Sequence, residues 1–464
     1  MKSYPMIAVL AIVIAVLLLL DKYRPDVLLY QTECETIDSL RVYAFAVGKE
    51  KGKVTSGKTD RYEAEALGVG KVLLYILRDS TRTRPQTGDT LITRTRIRRG
   101  GHIRRFDYGL YLRRQGITGT AYAGEYVLKT GSKRDEPSLQ ERLYKRLEAS
   151  GLRGDELATT GALTLGYKED LDPLLRRRFQ ASGAAHVLAV SGLHTGILYG
   201  LLIAILTFGG RLKPMHEDRT GRWLLSCVLI AAMWGYAWLT GMTPSVVRCV
   251  VMVTMVEIGR MIYRHSPTLN TIAAAAVLIL IVRPMDLWSV SFQLSFAATA
   301  AIVIVARDAE RRLHRLEWKN SLPGKMLSWI AGTILISIAA QLGTIPITMY
   351  LFGQVSNYFL LTNLIVLPLA SLLVPCGLAS VALGGSGIGQ LIGYLTSCLA
   401  WMMNHAVGWI ESLPGSCSAV AISLPMVGLL YGAIVMGWLT IHKSLWWLTG
   451  VIAATFTFCI VYTL

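Results

Sequence analysis

The sequence is short of charge and of cysteine. Only 17% of its 464 residues are charged, and its 7 cysteines show no CxxC pair or other spacing that binds a metal. Cys34 is the only cysteine between residues 21 and 185, the polar part of the chain, so no disulfide can form within that part. These shortages argue against a disulfide-stapled domain, and we expect neither a metal site nor a cofactor.

Most of the chain is apolar. Hydrophobic residues make up 53% of the chain and its mean hydropathy is +0.45, which excludes an ordinary soluble protein. Residues 1–20 carry an apolar run that is followed by Asp21 and Lys22 instead of a cleavage site, so we interpret them as an uncleaved membrane anchor. With this anchor, the sequence predicts a polytopic α-helical membrane protein with about eleven spans. The later apolar runs cover 186–208, 222–240, 245–262, 269–283, 288–306, 328–350, 358–383, 388–410, 423–441 and 445–462.

Positive charge is placed unevenly along the chain. The net charge of +17 suits either a polyanionic partner or the basic cytoplasmic loops of any membrane protein. Short loops rich in Lys and Arg fall an even number of spans apart, so they share one side of the membrane, which the positive-inside rule makes the cytoplasmic side. The same parity puts the N-terminus in the cytoplasm and residues 21–185 outside it. These loops lie at 209–221, 260–264 and 307–325.

Residues 21–135 have the pattern of a small β domain. Short runs of β-branched and aromatic residues at 40–47, 69–77, 90–97 and 119–128 alternate with turn signals, which favours a barrel or a sandwich. From Arg94 to Arg114, basic and aromatic side chains interleave, as they do in proteins that bind single-stranded nucleic acid through phosphate contacts and base stacking. The alternative is a solvated basic loop beside anionic lipid headgroups. The candidate contacts are Arg98, Arg99, Arg104, Arg105, Phe106, Tyr108, Arg113 and Arg114.

A helical period replaces the β pattern at residues 136–185. Leu139, Leu143 and Leu147 recur among charged residues, and a run of arginines follows at 176–178. We interpret this segment as an amphipathic helical linker whose basic face lies along the membrane surface or leads towards a pore entrance. Residues 186–464 then form the multi-span domain.

The first span after the linker carries polar side chains at membrane depth. The stretch HVLAVSGLHTG holds His186, Ser191 and His194, and such groups are costly in lipid unless they face protein or water. On one straight helix, His186 and Ser191 would point roughly 140° apart, so they can share a site only where the chain breaks. Gly192 and Gly196 offer the place for that break, as in the interrupted helices of transporters.

Further polar residues are spread over later spans. Arg248 follows Pro244 at the start of a span, and it needs either a carboxylate such as Glu257 or the phosphates of a substrate. Gln293 and Asn363 suit the lining of a channel, although hydrogen bonds between helices would explain either residue as well.

HVLAVSGLHTG resembles the signature HLLAISGLHxG of the ComEC competence family. The stretches 106–117, 241–248 and 292–296 are similar to further motifs of that family and occur in the same order. The resemblance implies an extracytoplasmic OB-like domain, followed by a multi-span domain in the bacterial inner membrane that passes single-stranded DNA. It also implies two partners, a DNA receptor protein on the outer face and a cytoplasmic motor or single-strand-binding protein.

Many members of that family add a metallo-β-lactamase-like domain, whose HxHxDH motif does not occur in this sequence. We therefore expect no nuclease activity. We also expect that the protein is not an enzyme.

Three functions stay open on the sequence. A channel for single-stranded DNA needs cations and hydrogen-bond donors along a wet path. An intramembrane hydrolase or transferase could use Ser191 and His194, although a GxSxG motif is absent. A small-solute carrier predicts internal repeats, which we do not detect, and assembly with further copies of the chain is left open. The channel hypothesis places His186, Ser191, Gly192, His194, Gly196, Pro244, Arg248, Gln293 and Asn363 on the DNA path, within surrounding membrane lipid.

Overall fold

The structure is a computed structural model that describes most of the chain. In order, the described residues form an apolar helix, a group of β-strands and a long series of helices. They are residues 5–22, 37–53, 59–66, 70–77, 85, 89–98, 102–103, 106–107, 112, 117–129, 138–188, 190–207, 219–262, 268–313, 322–420 and 422–443.

The first described element is the helix α1, Pro5–Lys22, which coincides with the predicted anchor. It packs along α9, Thr268–Val282. The backbone amide of Met6 donates to Asn270 Oδ1 over 2.9 Å. Because the amides of a first helical turn have no partner within the helix, Asn270 supplies the acceptor that α1 lacks. Helix α1 therefore belongs to the helical bundle.

Residues 37–129 form a six-stranded sheet and a separate two-stranded pair. The runs predicted at 40–47, 69–77 and 90–97 are strands, and the run at 119–128 forms two strands. β2 was not predicted, because the small inward residues Ala64 and Ala66 weaken its alternation. The strands are β1 Ile37–Lys53, β2 Thr59–Ala66, β3 Gly70–Leu77, β4 Thr90–Ile97, β5 His102–Ile103, β6 Phe106–Asp107, β7 Gly119–Ala123 and β8 Tyr126–Lys129.

The six-stranded sheet closes into a small barrel. Its order is β7-β3-β2-β1-β4-β8, and β3 pairs with β7 in parallel while the other neighbours are antiparallel. A bridge joins β4 to β7, because the Arg98 amide donates to the Thr120 carbonyl at 2.8 Å and the Thr120 amide donates back to the Arg98 carbonyl at 2.7 Å. Alternate residues such as Leu74, Leu91 and Ile97 point inward and are fully buried.

Helices follow the barrel at residues 138–188. The first of them, α2 at Leu139–Ala149, and the third, α4 at Pro173–Ala181, each bury one face, as the predicted amphipathic period requires. The second helix, α3 at Gly154–Thr164, is buried on all sides, because every residue of Leu157–Thr164 is buried. Thr159 Oγ1 donates over 2.9 Å to Asn404 Oδ1 on α13, Gly387–Ser412. α3 is thus an inner helix of the bundle and no surface linker. These helices are α2 Leu139–Ala149, α3 Gly154–Thr164, α4 Pro173–Ala181 and α5 Ala185–Leu188.

Each apolar run predicted between residues 186 and 441 contains a helix, and the run at 445–462 lies outside the described residues. A 3-10 turn at Pro284–Trp288 precedes α10. A short antiparallel pair, β9 Gln354–Ser356 and β10 Cys417–Ala419, ties the α11–α12 link to the α13–α14 link. The remaining helices are α6 Gly192–Leu206, α7 Arg219–Leu239, α8 Pro244–Met261, α10 Val290–Leu313, α11 Leu322–Phe352, α12 Phe359–Leu383 and α14 Leu424–Lys443.

Several of these helices suit a lipid environment. Within the described residues, three are long and apolar enough to cross a membrane, namely Thr220–Leu239, Pro323–Phe352 and Phe359–Leu383. Shorter apolar helices accompany them. The molecule is therefore a mostly helical membrane protein with a small region of strands.

We predict that Gly377→Ala destabilises the contact between α12 and α3. A Cβ at Gly377 would lie 2.5 Å from Thr164 Cγ2, so the two helices must separate at a cost of about 1–3 kcal/mol. Thermal unfolding of the purified protein in detergent measures the effect. Gly332→Ala on α11 is the control, since a Cβ there meets no atom within 4 Å. Equal melting temperatures for the two variants would contradict the packing described for α3.

Candidate functional site

The helical path breaks between α5 and α6. α5 ends at Leu188 and α6 begins at Gly192, which agrees with the predicted break. His194 Nδ1 accepts the Ser191 backbone amide at 3.0 Å and lies 3.1 Å from Ser191 Oγ. This is the geometry of a capping box, in which the third residue of a helix bonds back to the capping residue.

His186 does not join this pair. Its side chain is exposed on α5, and its Nδ1 lies 3.0 Å from the carbonyl oxygen of Gly183. The break therefore gives Ser191 a histidine partner, but that partner is His194.

His194 has one nitrogen satisfied and one left over. Because Nδ1 accepts an amide hydrogen, the ring proton of the neutral imidazole is on Nε2. The residue is 0% exposed, and Nε2 has no hydrogen-bond partner in the described part of the chain. A hydrolase would need a carboxylate at that nitrogen to orient the ring. The contact between Ser191 and His194 is thus explained as a helix cap, and Nε2 remains a buried donor without an acceptor.

The first turn of α8 packs against the break. Ser245 Oγ donates to the Val190 carbonyl over 2.7 Å. Gly192 lies against Cys249, since a Cβ on this glycine would come within 2.9 Å of Cys249 Sγ. Pro244 stands in the first turn of α8, where its missing amide hydrogen leaves no bond unmade. The starts of α6 and α8 therefore meet.

Arg248 follows one turn into α8 and is 3% exposed. Its Nη2 donates to Ser291 Oγ at 2.7 Å, which brings the guanidinium to the start of α10. Nε and Nη1 have no hydrogen-bond partner among the described residues. Asp286 lies within electrostatic range of Arg248 but forms no described ion pair with it. A buried cation is thus left with two free donor groups.

Glu257 is not the counter-ion of Arg248, so one of the two alternatives that the sequence offered for this arginine was wrong. Its carboxylate accepts from Ser226 Oγ at 2.7 Å and from Arg260 Nη1 at 2.7 Å, and the Tyr199 hydroxyl also donates to it. Nine residues separate Glu257 from Arg248 along one helix, a rise of about 13 Å, which is too far for an ion pair. The carboxylate instead ties α6, α7 and α8 together.

The other predicted channel residues bond to different partners or lie exposed. Gln293 Nε2 donates to the Leu287 carbonyl at 3.0 Å, so Gln293 holds the 3-10 turn. Asn363 Nδ2 donates to Ser337 Oγ on α11 at 3.1 Å, and its buried Oδ1 has no described partner. Gly196 is exposed on α6, and a Cβ on this glycine would meet no described atom within 4 Å.

Of the predicted contacts in the β domain, Arg98 is exposed at the bridge that closes the barrel. Phe106 belongs to β6, although its side chain is not described. The others lie outside the described residues, namely Arg99, Arg104, Arg105, Tyr108, Arg113 and Arg114.

Sequence reasoning did not select Cys249 as a site residue, and it named Ser245 only as part of the 241–248 motif. Ser245 and Cys249 connect α8 to the break, and they stand four residues apart on one face of the helix. That spacing, next to Arg248, was the available signal. In the part of the chain that the structure describes, no group of three or more His, Cys, Asp or Glu side chains could hold a metal ion.

The arrangement is suited to an anion. Arg248 carries a buried positive charge, and His194 adds a neutral donor on the neighbouring element. The helices α6, α8 and α10 all begin around these residues, and a helix start presents free amides and partial positive charge. The fold and these residues define a multi-helix membrane protein with a small β-barrel, in which the candidate site consists of His194 and Arg248 at the starts of α6 and α8, with Ser291 at the start of α10.

The helical domain is also known from other proteins. A family model described as "Competence protein" matches residues 163–446, which is more than half of the chain. The chain belongs to this competence protein family. The match begins at the last two residues of α3 and ends beyond α14.

Three relatives show how much is shared. ComE operon protein 3 of Bacillus subtilis is 27% identical over 287 residues, 60% of this chain and 33% of that protein. Recombination protein 2 of Haemophilus influenzae is 27% identical over 290 residues, 61% of this chain and 36% of that protein. The uncharacterized protein YcaI of Escherichia coli is 26% identical over 232 residues, 48% of this chain and 29% of that protein. The chain thus matches about a third of these relatives' lengths, and no solved structure matches it.

We predict that the two glycines of the signature differ in their tolerance of a side chain. Gly192→Ala pushes a methyl group against Cys249 Sγ and separates α6 from α8, at a cost of about 1 kcal/mol or more. Gly196→Ala meets open space and leaves the melting temperature of the purified protein unchanged. Cys249→Ala restores stability to Gly192→Ala, because it removes the clashing sulfur. Failure of this second change to rescue the first would contradict the contact.

Proposed function

We propose that this protein is the inner-membrane channel that takes up single-stranded DNA during natural transformation. Membership of the competence family and the apolar helices support a role in DNA uptake at a membrane. One observation carries the finer proposal, which is the buried guanidinium of Arg248 with two nitrogens that have no partner among the described residues.

An unpaired cation at this depth needs an anion. Desolvation of a charge costs several kcal/mol, and Ser291 Oγ offsets only part of it. The planar fork of a guanidinium matches the two oxygens of a phosphate group. A phosphodiester moving past α10 would meet the free nitrogens of Arg248, while His194 Nε2 offers a further donor from α6. Weak, repeated contacts of this kind let a polyanion pass without being held.

The proposed orientation puts the β-barrel outside the bacterial inner membrane and the N-terminus in the cytoplasm. In the barrel, the ring β1-β2-β3-β7-β4 with its parallel β3–β7 pair supports an OB-like fold, which is a five-stranded Greek-key barrel. The proposed partners are a DNA receptor protein at the outer face and a cytoplasmic motor or single-strand-binding protein. A homo-oligomer is compatible with this arrangement.

One step of the predicted topology changes. Loop parity puts the turn at Gly241 outside and the turn at Gly384 inside, which gave about eleven spans. α2 touches both turns, since a Cβ on Gly241 would lie 2.9 Å from Gln140 Nε2 and one on Gly384 would lie 2.9 Å from the Arg146 carbonyl oxygen. Six helical residues cover about 9 Å, whereas the hydrocarbon core is about 30 Å thick. We therefore propose that both turns face outward, so that α12 and α13 re-enter on the outer side although α12 is long enough to cross, and about nine full crossings remain.

Cysteine labelling tests this orientation. We expect Ile388→Cys, beside the Gly384 turn and 67% exposed, to react with a membrane-impermeant maleimide added to intact spheroplasts. The unsubstituted chain, with its own cysteines, gives the background. Labelling that requires membrane permeabilisation would return the turn to the cytoplasmic side.

Arg248→Met separates the channel role from a structural role. We expect the variant to reach the membrane and to melt at or above the temperature of the unsubstituted protein, because a methionine replaces an unpaired buried charge. We expect transformation to fall to the level of a gene deletion, because the phosphate-binding cation is gone. The measurement is uptake of labelled DNA into the cytoplasm, with the deletion strain as the reference.

Arg283→Ala is the matched control, since this arginine is exposed in the membrane domain and its loss should leave uptake unchanged. His194→Ala should abolish uptake as well. Normal uptake in Arg248→Met and His194→Ala, or in the deletion strain, would overturn the channel proposal. A lower melting temperature with normal uptake would assign Arg248 to structure alone.

A further inference from the structure

The β-barrel carries an exposed aromatic pair that is not part of the candidate site in the helical bundle. Tyr75 on β3 and Tyr122 on β7 are direct neighbours in the parallel pairing. Their rings are stacked, with centroids 4.9 Å apart and planes inclined by 15°. Tyr75 packs on the buried side chains of Leu73 and Leu112, whereas Tyr122 is 55% exposed. The ring of Tyr122 is thus exposed to solvent, while the ring of Tyr75, on which it stacks, is held by buried apolar side chains.

Arginines line the strand beside this pair. Arg94, Arg96 and Arg98 alternate with buried residues along β4, so they share the outer face of the barrel. Arg98 forms the bridge to β7 that closes the barrel. Two residues further along that antiparallel register, Arg96 lies beside Tyr122. Thr95 Oγ1 donates to the Tyr122 carbonyl over 2.7 Å and fixes this neighbourhood.

We propose that Tyr75, Tyr122, Arg94 and Arg96 form a binding platform for single-stranded nucleic acid. An aromatic face stacks on any base, and a row of cations on one strand holds the phosphates beside it. Anionic lipid headgroups would satisfy the arginines, but they have no base to cover the exposed ring of Tyr122. The proposal rests on the proposed DNA uptake and adds the place where the incoming strand is held before it reaches the membrane.

The platform also has a position that suits this task. It lies on the second half of β4, where Arg94 begins the interleaved basic and aromatic stretch of the sequence. A strand bound there would continue along that stretch. Arg94 and Arg96 belong to the interleaved stretch that the sequence pattern indicated, whereas Tyr75 and Tyr122 lie outside it on two other strands.

The test measures binding of a fluorescent oligothymidine to the full-length protein in detergent, by anisotropy over a range of salt concentrations. We expect Tyr122→Ala to bind about 10-fold more weakly, because a stacking face is lost. Tyr122→Phe keeps the ring and should bind as the unsubstituted protein does. Arg96→Ala should weaken binding and lower the slope of log affinity against log salt by about 0.7, the value for one phosphate contact on a single strand.

Arg177→Ala is the charge-matched control, because Arg177 is exposed on α4, away from the platform, and its loss should change neither affinity nor slope. Unchanged affinity in Tyr122→Ala would overturn the platform. The platform would also be overturned if Tyr122→Ala sedimented less with anionic vesicles than the unsubstituted protein while its oligothymidine affinity stayed unchanged. That result would assign the exposed patch to lipid binding.

The two proposals fail separately. Normal DNA uptake in the deletion strain ends the channel proposal and leaves the oligothymidine affinities as measured. Equal oligothymidine affinities of Tyr122→Ala and the unsubstituted protein end the platform and leave uptake through the membrane domain unaffected.

Discussion

The contact between the chain break and the first turn of α8 fixes the candidate site. At the break, the Val190 carbonyl has left the helical hydrogen-bond ladder, and Ser245 Oγ supplies its partner. The neighbouring Gly192 has no side chain, which allows Cys249 to approach. His194 lies one turn into α6 and Arg248 one turn into α8, so the position of both free donors follows from this contact. Displacement of either helix start would move both donors together.

Most helix positions could be predicted from the sequence, because apolar length is a local property that each span carries by itself. The strand β2 and the helix α3 could not. The inward residues of β2 include alanines, so the alternation of large apolar and polar residues in its sequence is weak. The buried residues of α3 include small ones such as Ala158 and Ala162, and such residues are equally common on a surface helix. Only packing against α12 and α13 distinguishes α3 from a linker.

The site divides in the same way. The need for a break near Gly192 follows from the angle between His186 and Ser191, which is a property of one helix. The partner of Arg248 depends on which helices meet, and Ser291 comes from another helix while Glu257 on the same helix is out of reach. Loop charge predicted one side for the Gly384 turn, yet a contact with α2, distant in sequence, argues for the other.

The hydrogen bond from Met6 to Asn270 has a consequence for biosynthesis. The two residues are 264 positions apart, so the ribosome needs on the order of tens of seconds, at about 5–20 residues per second, to produce the partner of α1. During that interval α1 must persist in lipid as a single helix. Because α1 is apolar on every side, lipid can surround it completely during that interval. Its later packing on α9 joins the first segment that is synthesised to a helix from the middle of the chain.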